Sequence, residues 1–321
     1  EDTMQRLGVK KEFNFWDILG TYGVFITFFV LFVGNSIFTK NFLSMTTVQN
    51  ILSQCTTPVL LGIGMTVVIA TSGINISVGS VMAMCAMVAA KLIKEGMFVQ
   101  GMAAGLILAL LCGALTGYII IEFDIQPMIV SLAMMFVLRG VAKLLNDGKN
   151  MRPGNSALNS FFYETVAGIP VRTVIWFVCA LALFILISKT RFGICIESFG
   201  DNSRAARIAG INIVAVIVAC YMICNVMAYV AGVIEMGYSS IVDPGNMGLT
   251  KEMDAIAATV LGGTSIDGGK PHIWGTVCGA MVLQMISIMV NMNNVPSSYA
   301  KIIKAAIIIL AIYFQGMKKN N

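Results

Sequence analysis

The chain has 321 residues, of which 57% are hydrophobic and 12% charged, where ordinary soluble domains carry about a quarter charged residues. Its mean hydropathy of +0.84 excludes a soluble globular domain and points to a polytopic membrane protein. The net charge of +5 is mild, and Lys and Arg are scattered without interleaved aromatics, so no nucleic-acid partner is expected.

Several windows exceed the ~20 apolar residues that span a bilayer as helix. Alternating β-barrel patterning is absent, so the expected fold is all-α. Residues 1–15 carry Arg6, Lys10 and Lys11 and read as a segment at the membrane surface. A transmembrane domain over 16–316 and a polar tail over 317–321 follow. Spans are predicted near 17–38, 48–70, 76–93, 98–121, 126–145, 172–189, 212–235, 254–265, 272–293 and 298–315, ten in all. Pro58 is expected to kink the second.

Residues 62–80 read GIGMTVVIATSGINISVGS. Two apolar runs meet here across small and polar residues, at a depth where backbone groups need partners inside the protein or in a watery cavity. Asn75 is placed to cap a helix beginning at Ile76, accepting from the amide near Val78. Gly73, Asn75, Ser77, Gly79 and Ser80 suit a path for a neutral polar solute; an ordinary turn between two spans is the competing reading. A second interruption, Asp243-Pro244-Gly245-Asn246, lies between apolar runs in the second half and suggests a weak inverted repeat. Glu235 and Asp254 flank it, as path residues or interfacial caps.

Two connections are long. Residues 146–171 carry Pro153, Pro170 and several Asn and read as an exposed loop. Residues 190–211 contain NSRAARIAGI, a short basic helix capped by Asn202 or Ser203 and able to dock on a partner. The pairs Gly101/Gly105, Gly113/Gly117 and Gly275/Gly279 permit close helix crossings, more cheaply explained within one chain than by dimerisation. Arg139 lies inside the fifth span, where a charge costs ~2.5–3.5 kcal/mol; it pairs, faces water, or snorkels from a helix end.

Orientation is not set by charge. With both termini inside, basic residues 6, 10, 11, 189, 191, 204, 207, 270, 318 and 319 lie within, and 40, 91, 94, 143, 149, 152, 172, 251, 301 and 304 without, an even division.

Catalytic chemistry has little material. The segment from Gly263 to Lys270 resembles a phosphate loop, but the register needs glycine at Thr264, and Pro271 stands where Ser or Thr should bind magnesium. An ATP site in this chain is therefore not expected. His272 is the only histidine, and no run of carboxylates suggests a proton relay or acid–base pair. The eight cysteines lie in or beside apolar runs without a C-x-x-C pair; Cys220 and Cys224 lack two further ligands. No catalytic residue, metal or cofactor is expected.

Four segments together resemble the permease subunits of bacterial ribose/galactose-type ABC importers, which share a family with branched-chain amino acid permeases. Residues 72–80, SGINISVGS, resemble the family's G/S-G-I-D-L-S-V-G-S. Gln126-Pro127 through Arg139-Gly140 resembles its Pro-containing span ending in Arg-Gly. Residues 200–211 resemble its cytoplasmic G-x-N-x-x-A-A-R-x-x-G-I, and residues 252–265 followed by Gly268-Gly269 resemble E-L-D-A-I-A-A-V-V-L-G-G-T-S…G-G. The four occur in the family's order across nearly the whole chain.

The resemblance implies ten helices, cytoplasmic termini in a bacterial inner membrane, and interrupted helices around a central path. It implies partners: cytoplasmic ATP-binding cassette subunits, a second permease chain, identical or not, and an extracytoplasmic sugar-binding protein, all set in membrane lipid. Path residues would be Gly73, Asn75, Ser77, Gly79, Ser80, Gln126, Asn246 and Asp254. Coupling to the ATPase would fall to Asp201, Asn202, Ser203, Arg204, Ala205, Ala206, Arg207 and Gly210. Asn75 departs from the family's usual Asp, Ile194 from a basic residue, and Pro271 from a glycine. A monosaccharide permease without catalysis is the leading reading. An ion-coupled secondary transporter of a small polar solute is the alternative, and would favour an intramembrane carboxylate near the break.

Overall fold

The computed structural model describes residues 15–38, 42–293, 296, 298–300, 302–306 and 309. Among them are thirteen helices and one two-residue hairpin. Helix α1 covers Phe15–Phe38, α2 Met45–Gln54, α3 Thr56–Ile69, α4 Val78–Lys94, α5 Phe98–Glu122 and α6 Pro127–Leu144. After α7, Ser156–Tyr163, strands β1, Thr165–Val166, and β2, Ile169–Pro170, pair antiparallel. Then come α8, Val171–Lys189, α9, Arg191–Asp201, α10, Ser203–Ile208, α11, Ile213–Ser239, α12, Lys251–Leu261, and α13, Ile273–Met292.

Among the described residues six helical runs are long and apolar enough to cross a membrane: α2 with α3 as one run, α5, α6, α8, α11 and α13. They match six of the ten expected spans. Of the other four, α1 contributes the shorter apolar run Gly23–Ile37. Helices α4 and α12 have 17 and 11 residues. Half of the tenth falls outside the described residues, and the terminal segments 1–14 and 317–321 lie wholly outside them.

The interior is built around α3, where residues 58–70 are all buried. Helices α11, α12, α13 and α8 pack around it, and α5 lies along α11. The expected kink falls at Cys55, three residues before Pro58, a single turn residue between α2 and α3. Proline has no N–H for the carbonyl of Gln54 and its ring crowds that carbonyl, which displaces the break towards the N-terminus.

Glycines set the close crossings. A Cβ on Gly113 would lie 2.6 Å from Met222 Cα, and one on Gly117 2.8 Å from Val218 Cα. Gly101 meets the carbonyl of Ala89, Gly275 that of Gly262, and Gly279 that of Ala258. All three small-residue pairs are therefore packing devices inside this chain.

Two expectations are corrected. Residues 146–171 are not an exposed loop throughout. Asn155 Oδ1 caps α7 by accepting from Leu158 N at 3.0 Å, and Leu158 and Phe162 are buried. Phe162 fills the gap that Gly237 leaves on α11, an apolar anchor that loop composition conceals. The connection over 190–211 likewise holds a second helix, α9, with Thr190 Oγ1 accepting from Phe192 N at 3.2 Å.

Candidate functional site: two interrupted helices that meet

Helix α3 ends at Ile69, and Thr71, Ser72 and Gly73 fold back on its last turn. Gly73 N donates to Val68 O at 3.1 Å, and Thr71 Oγ1 donates to the same carbonyl at 2.7 Å. Ser72 adopts a left-handed φ of 57°. A Cβ on Gly73 would press on Tyr221 and Val68. The chain then runs without helix to Ser77, and α4 begins at Val78.

Asn75 is fully buried and serves this stretch from within. Its Nδ2 donates to Asn225 Oδ1 at 2.9 Å and lies 3.6 Å from Cys224 Sγ. Its Oδ1 accepts from Ser77 N at 3.2 Å and Ser77 Oγ at 2.7 Å. The expected cap over Val78 is thus corrected. The helix starts two residues later than predicted, so Asn75 reaches only Ser77. The carbonyl of Ile74 accepts from Ser131 Oγ at 3.1 Å and from Tyr221 at 3.5 Å. Ser80 is also fully buried. The network consists of neutral amides and hydroxyls.

The second break starts where α11 ends, with Ser240 at φ 58°. Val242 pairs with Met151 as an isolated antiparallel bridge. Asp243 Oδ1 accepts from Gly245 N at 2.8 Å and Asn246 N at 3.0 Å, and its Oδ2 from Asn246 Nδ2 at 2.8 Å. This is the side-chain turn expected of Asp before Pro-Gly. The Asn246 side chain, foremost, holds the Asp243 carboxyl below the usual carboxylate range; backbone amides and Arg139 act the same way. Arg139 Nη1 donates to Met247 O at 2.6 Å and Pro244 O at 3.3 Å. The intramembrane arginine therefore pairs with backbone carbonyls, one of the three outcomes open from sequence.

The two breaks touch. A Cβ on Gly79 would overlap the carbonyl oxygen of Gly248 and lie 3.1 Å from Glu252 Oε2. Gly248 itself has φ +70°. The first turns of α4 and α12 are thus side by side, and helix N-termini carry partial positive charge; Glu252 sits in the first turn of α12.

Of the expected path residues, Gly73, Asn75, Ser77, Gly79 and Ser80 come together at this junction. Gln126, Asn246 and Asp254 have other surroundings. Gln126 is exposed at the start of α6. Asn246 is bonded to Asp243. Asp254 Oδ1 is 3.3 Å from Lys304 Nζ. Glu235 accepts from Thr57 Oγ1 at 3.4 Å, linking α3 to α11. Asn225, Tyr221, Gly248 and Glu252 were missed. A lone Asn in the apolar run of α11 was the available signal for the first.

At the opposite end of the break lie α9 and α10. Asn202 Oδ1 caps α10, accepting from Arg204 N at 3.1 Å and Ala205 N at 3.0 Å. Asp201, Asn202, Ser203, Arg204, Ala205, Arg207 and Gly210 are exposed; Ala206 is buried. Ile208 is 88% exposed, an apolar side chain beside the two arginines that sequence reading did not single out. Gly210 ends the segment at φ +81°. A cavity of about 390 Å³ separates residues 71–72 from residues 199–204.

The glycines of the phosphate-loop look-alike are engaged in packing. Gly269 N donates to Ala70 O at 3.0 Å. A Cβ on Gly268 would overlap Ser72 Oγ, and one on Gly269 would lie 2.8 Å from Asp201 Oδ1.

Residues 47–312 match the family described as branched-chain amino acid transport system / permease component. The ribose import permease protein RbsC of Escherichia coli is 36% identical over 299 residues, covering 92% of this chain and 93% of the relative. The D-allose transport system permease protein AlsC of Escherichia coli is 30% identical over 308 residues, 94% of each chain. The galactofuranose transporter permease protein YtfT of Escherichia coli is 31% identical, over 84% of this chain and 79% of the relative. No solved structure is similar at a significant level.

Proposed function

Because the chain belongs to the family of branched-chain amino acid transport system permease components, matched over residues 47–312, we propose that it is the membrane subunit of an ABC importer and forms the path for a monosaccharide. The observation that carries this reading is the full-length likeness to import permeases named for ribose and allose. The chemistry of the junction agrees with it. Asn75, Ser77, Ser80 and Asn225 offer neutral donors and acceptors, which match hydroxyl groups and need no counter-ion.

In this reading ten helices cross the membrane, with α4 and α12 as interrupted elements that meet at Gly79 and Gly248. The domain covers 16–316, between a cytoplasmic surface segment over 1–15 and a cytoplasmic tail over 317–321. Both termini, α9 and α10 face the cytoplasm. A sugar-binding protein delivers solute from outside, a second permease chain completes the path, and separate ATPase subunits hydrolyse ATP. Residues 201–207 and Gly210 engage the ATPase. Gly73, Asn75, Ser77, Gly79 and Ser80 line the path once the junction opens, because they are sealed in the state described. Asn246 and Asp254 belong to its outer approach, and Gln126 to its cytoplasmic approach.

An ion-coupled carrier would want a carboxylate by the break, and Glu252 beside Gly79 answers that description. The named relatives decide against it, since each is a permease of an import or transport system.

The test is reconstitution. Purified chain in liposomes should take up no sugar under a proton or sodium gradient, and should take it up with ATP once ATPase and loaded binding protein are added. Gradient-driven uptake by the chain alone would overturn the reading.

A further inference from the structure

We propose that the backbone junction of Ala70, Gly200 and Gly269 delivers movement of α9 and α10 to the buried network around Asn75. This rests on the reading that α10 docks on an ATPase. Three segments far apart in sequence meet here main chain to main chain. Gly269 N donates to Ala70 O at 3.0 Å. A Cβ on Gly200 would overlap both that oxygen and the Gly269 nitrogen. Ser72 Oγ donates to Asp267 O at 2.6 Å, tying the same turn to the same loop.

Side chains between packed elements can change rotamer and absorb a displacement; adjoining backbones cannot. A shift of Gly200 must therefore move the end of α3, the loop over 265–269, or both. Helix α3 is enclosed on every side. The segment from Thr71 to Asn75 is not helical and is short, and the cavity between residues 71–72 and 199–204 gives it polar space to enter. Moving this segment draws Asn75 away from Asn225, which is the step that would open the sealed amides and hydroxyls to solute. Gly200 and Ser72 are in this account positioning residues, lying outside both the polar network and the exposed surface of α10.

The test uses the permease assembled with its ATPase and binding protein in liposomes. Gly200→Ala drives a methyl group into the junction. Ser72→Gly keeps the left-handed turn, which glycine tolerates, and removes only the bond to Asp267. ATP hydrolysis and solute uptake are read on the same sample. The expected result is normal assembly and hydrolysis, with solute moved per ATP reduced at least about fivefold, the lower end of ordinary coupling energies. A merely structural role would lower hydrolysis and uptake together and leave their ratio unchanged; that result overturns the proposal. If Gly200→Ala does not assemble, Ser72→Gly decides alone. Failure of the unaltered chain to bind any ATPase would instead overturn the functional reading beneath it.

Discussion

The carbonyl oxygen of Gly248 lies directly over the α-carbon side of Gly79, so that a side chain on either residue would overlap the other's backbone. Two breaks, separated by about half of the chain, close on each other here. A methyl group on Gly79 has nowhere to go, and overpacking of this kind costs ~1–3 kcal/mol. Gly79→Ala and Gly79→Leu should therefore insert and express near normally, since hydrophobicity rises, while uptake falls at least about tenfold through separation of α4 from α12. Unchanged uptake in either variant would mean that the contact is only a turn between spans.

Arg139 pins the second break from α6 through the carbonyls of Met247 and Pro244. Hydrogen bonds to charged groups contribute about 1.5–3 kcal/mol. Arg139→Met fills similar space without donors and should free residues 243–248, detected as faster amide exchange there than in α11. Equal exchange in variant and parent would remove the clamp from the account.

Much of this arrangement was legible in sequence, and the gaps have physical causes. The break at residues 71–77 announced itself through small polar residues between apolar runs. The cap of α10 could be narrowed to Asn202 or Ser203 because a cap is a local bond, and the structure assigns it to Asn202, on Arg204 and Ala205. The Asn75 cap failed because α4 begins only at Val78, and the Asn75 side chain is divided between Ser77 and the distant Asn225, a partner that no local pattern encodes. Asn225 escaped for the same reason: its partner lies 150 positions away. Helix α7 was hidden because a loop-like composition holds two buried anchors, Leu158 and Phe162, whose receiving surface is elsewhere.

Asn225 is the side-chain carboxamide partner of Asn75, accepting from its Nδ2 at 2.9 Å. Asn225→Leu leaves a buried amide donor with only a weak sulfur acceptor, a loss of about 1–3 kcal/mol. The variant should melt earlier in detergent than the parent, whereas Asn225→Gln should lose less. A melting temperature unchanged in Asn225→Leu would show that the bond contributes nothing.

Asp243 carries a pH dependence with a definite sign. Its carboxyl is held below the usual range by Asn246 and neighbouring amides. A group with a depressed folded value contributes stability above its unfolded value, and that contribution is lost as pH falls through the folded value. The turn at residues 243–246 should therefore be unaffected from pH 7 to 5 and loosen below about pH 4, where carboxylates protonate. Amide exchange at Gly245 and Asn246, corrected for intrinsic rate, measures this. Asp243→Asn should exchange faster throughout and without that pH step; a parent turn indifferent to acid would contradict the assignment.

The exposed helix α10 offers the most direct test of docking. Arg204 and Arg207 are three apart, so both can point to one face, and both are exposed, with Ile208 standing 88% clear beside them. Asn202 holds the first turn, so the helix exists before any partner arrives. Single exposed ion pairs contribute only about 0–1 kcal/mol, and Lys at either position should be nearly silent. Reversing both charges sets like against like across a docking surface, which costs several kcal/mol. Arg204→Glu with Arg207→Glu should leave the permease inserted and folded, because neither side chain is hydrogen-bonded or ion-paired to another among the described residues. It should lose hydrolysis stimulated by loaded binding protein, and uptake with it. Ile208→Asp should weaken the same association by removing the apolar contact that the arginines flank. If the double variant keeps normal stimulated hydrolysis, with ATPase retained in a pull-down, α10 is a solvated basic turn and the docking assignment must be dropped.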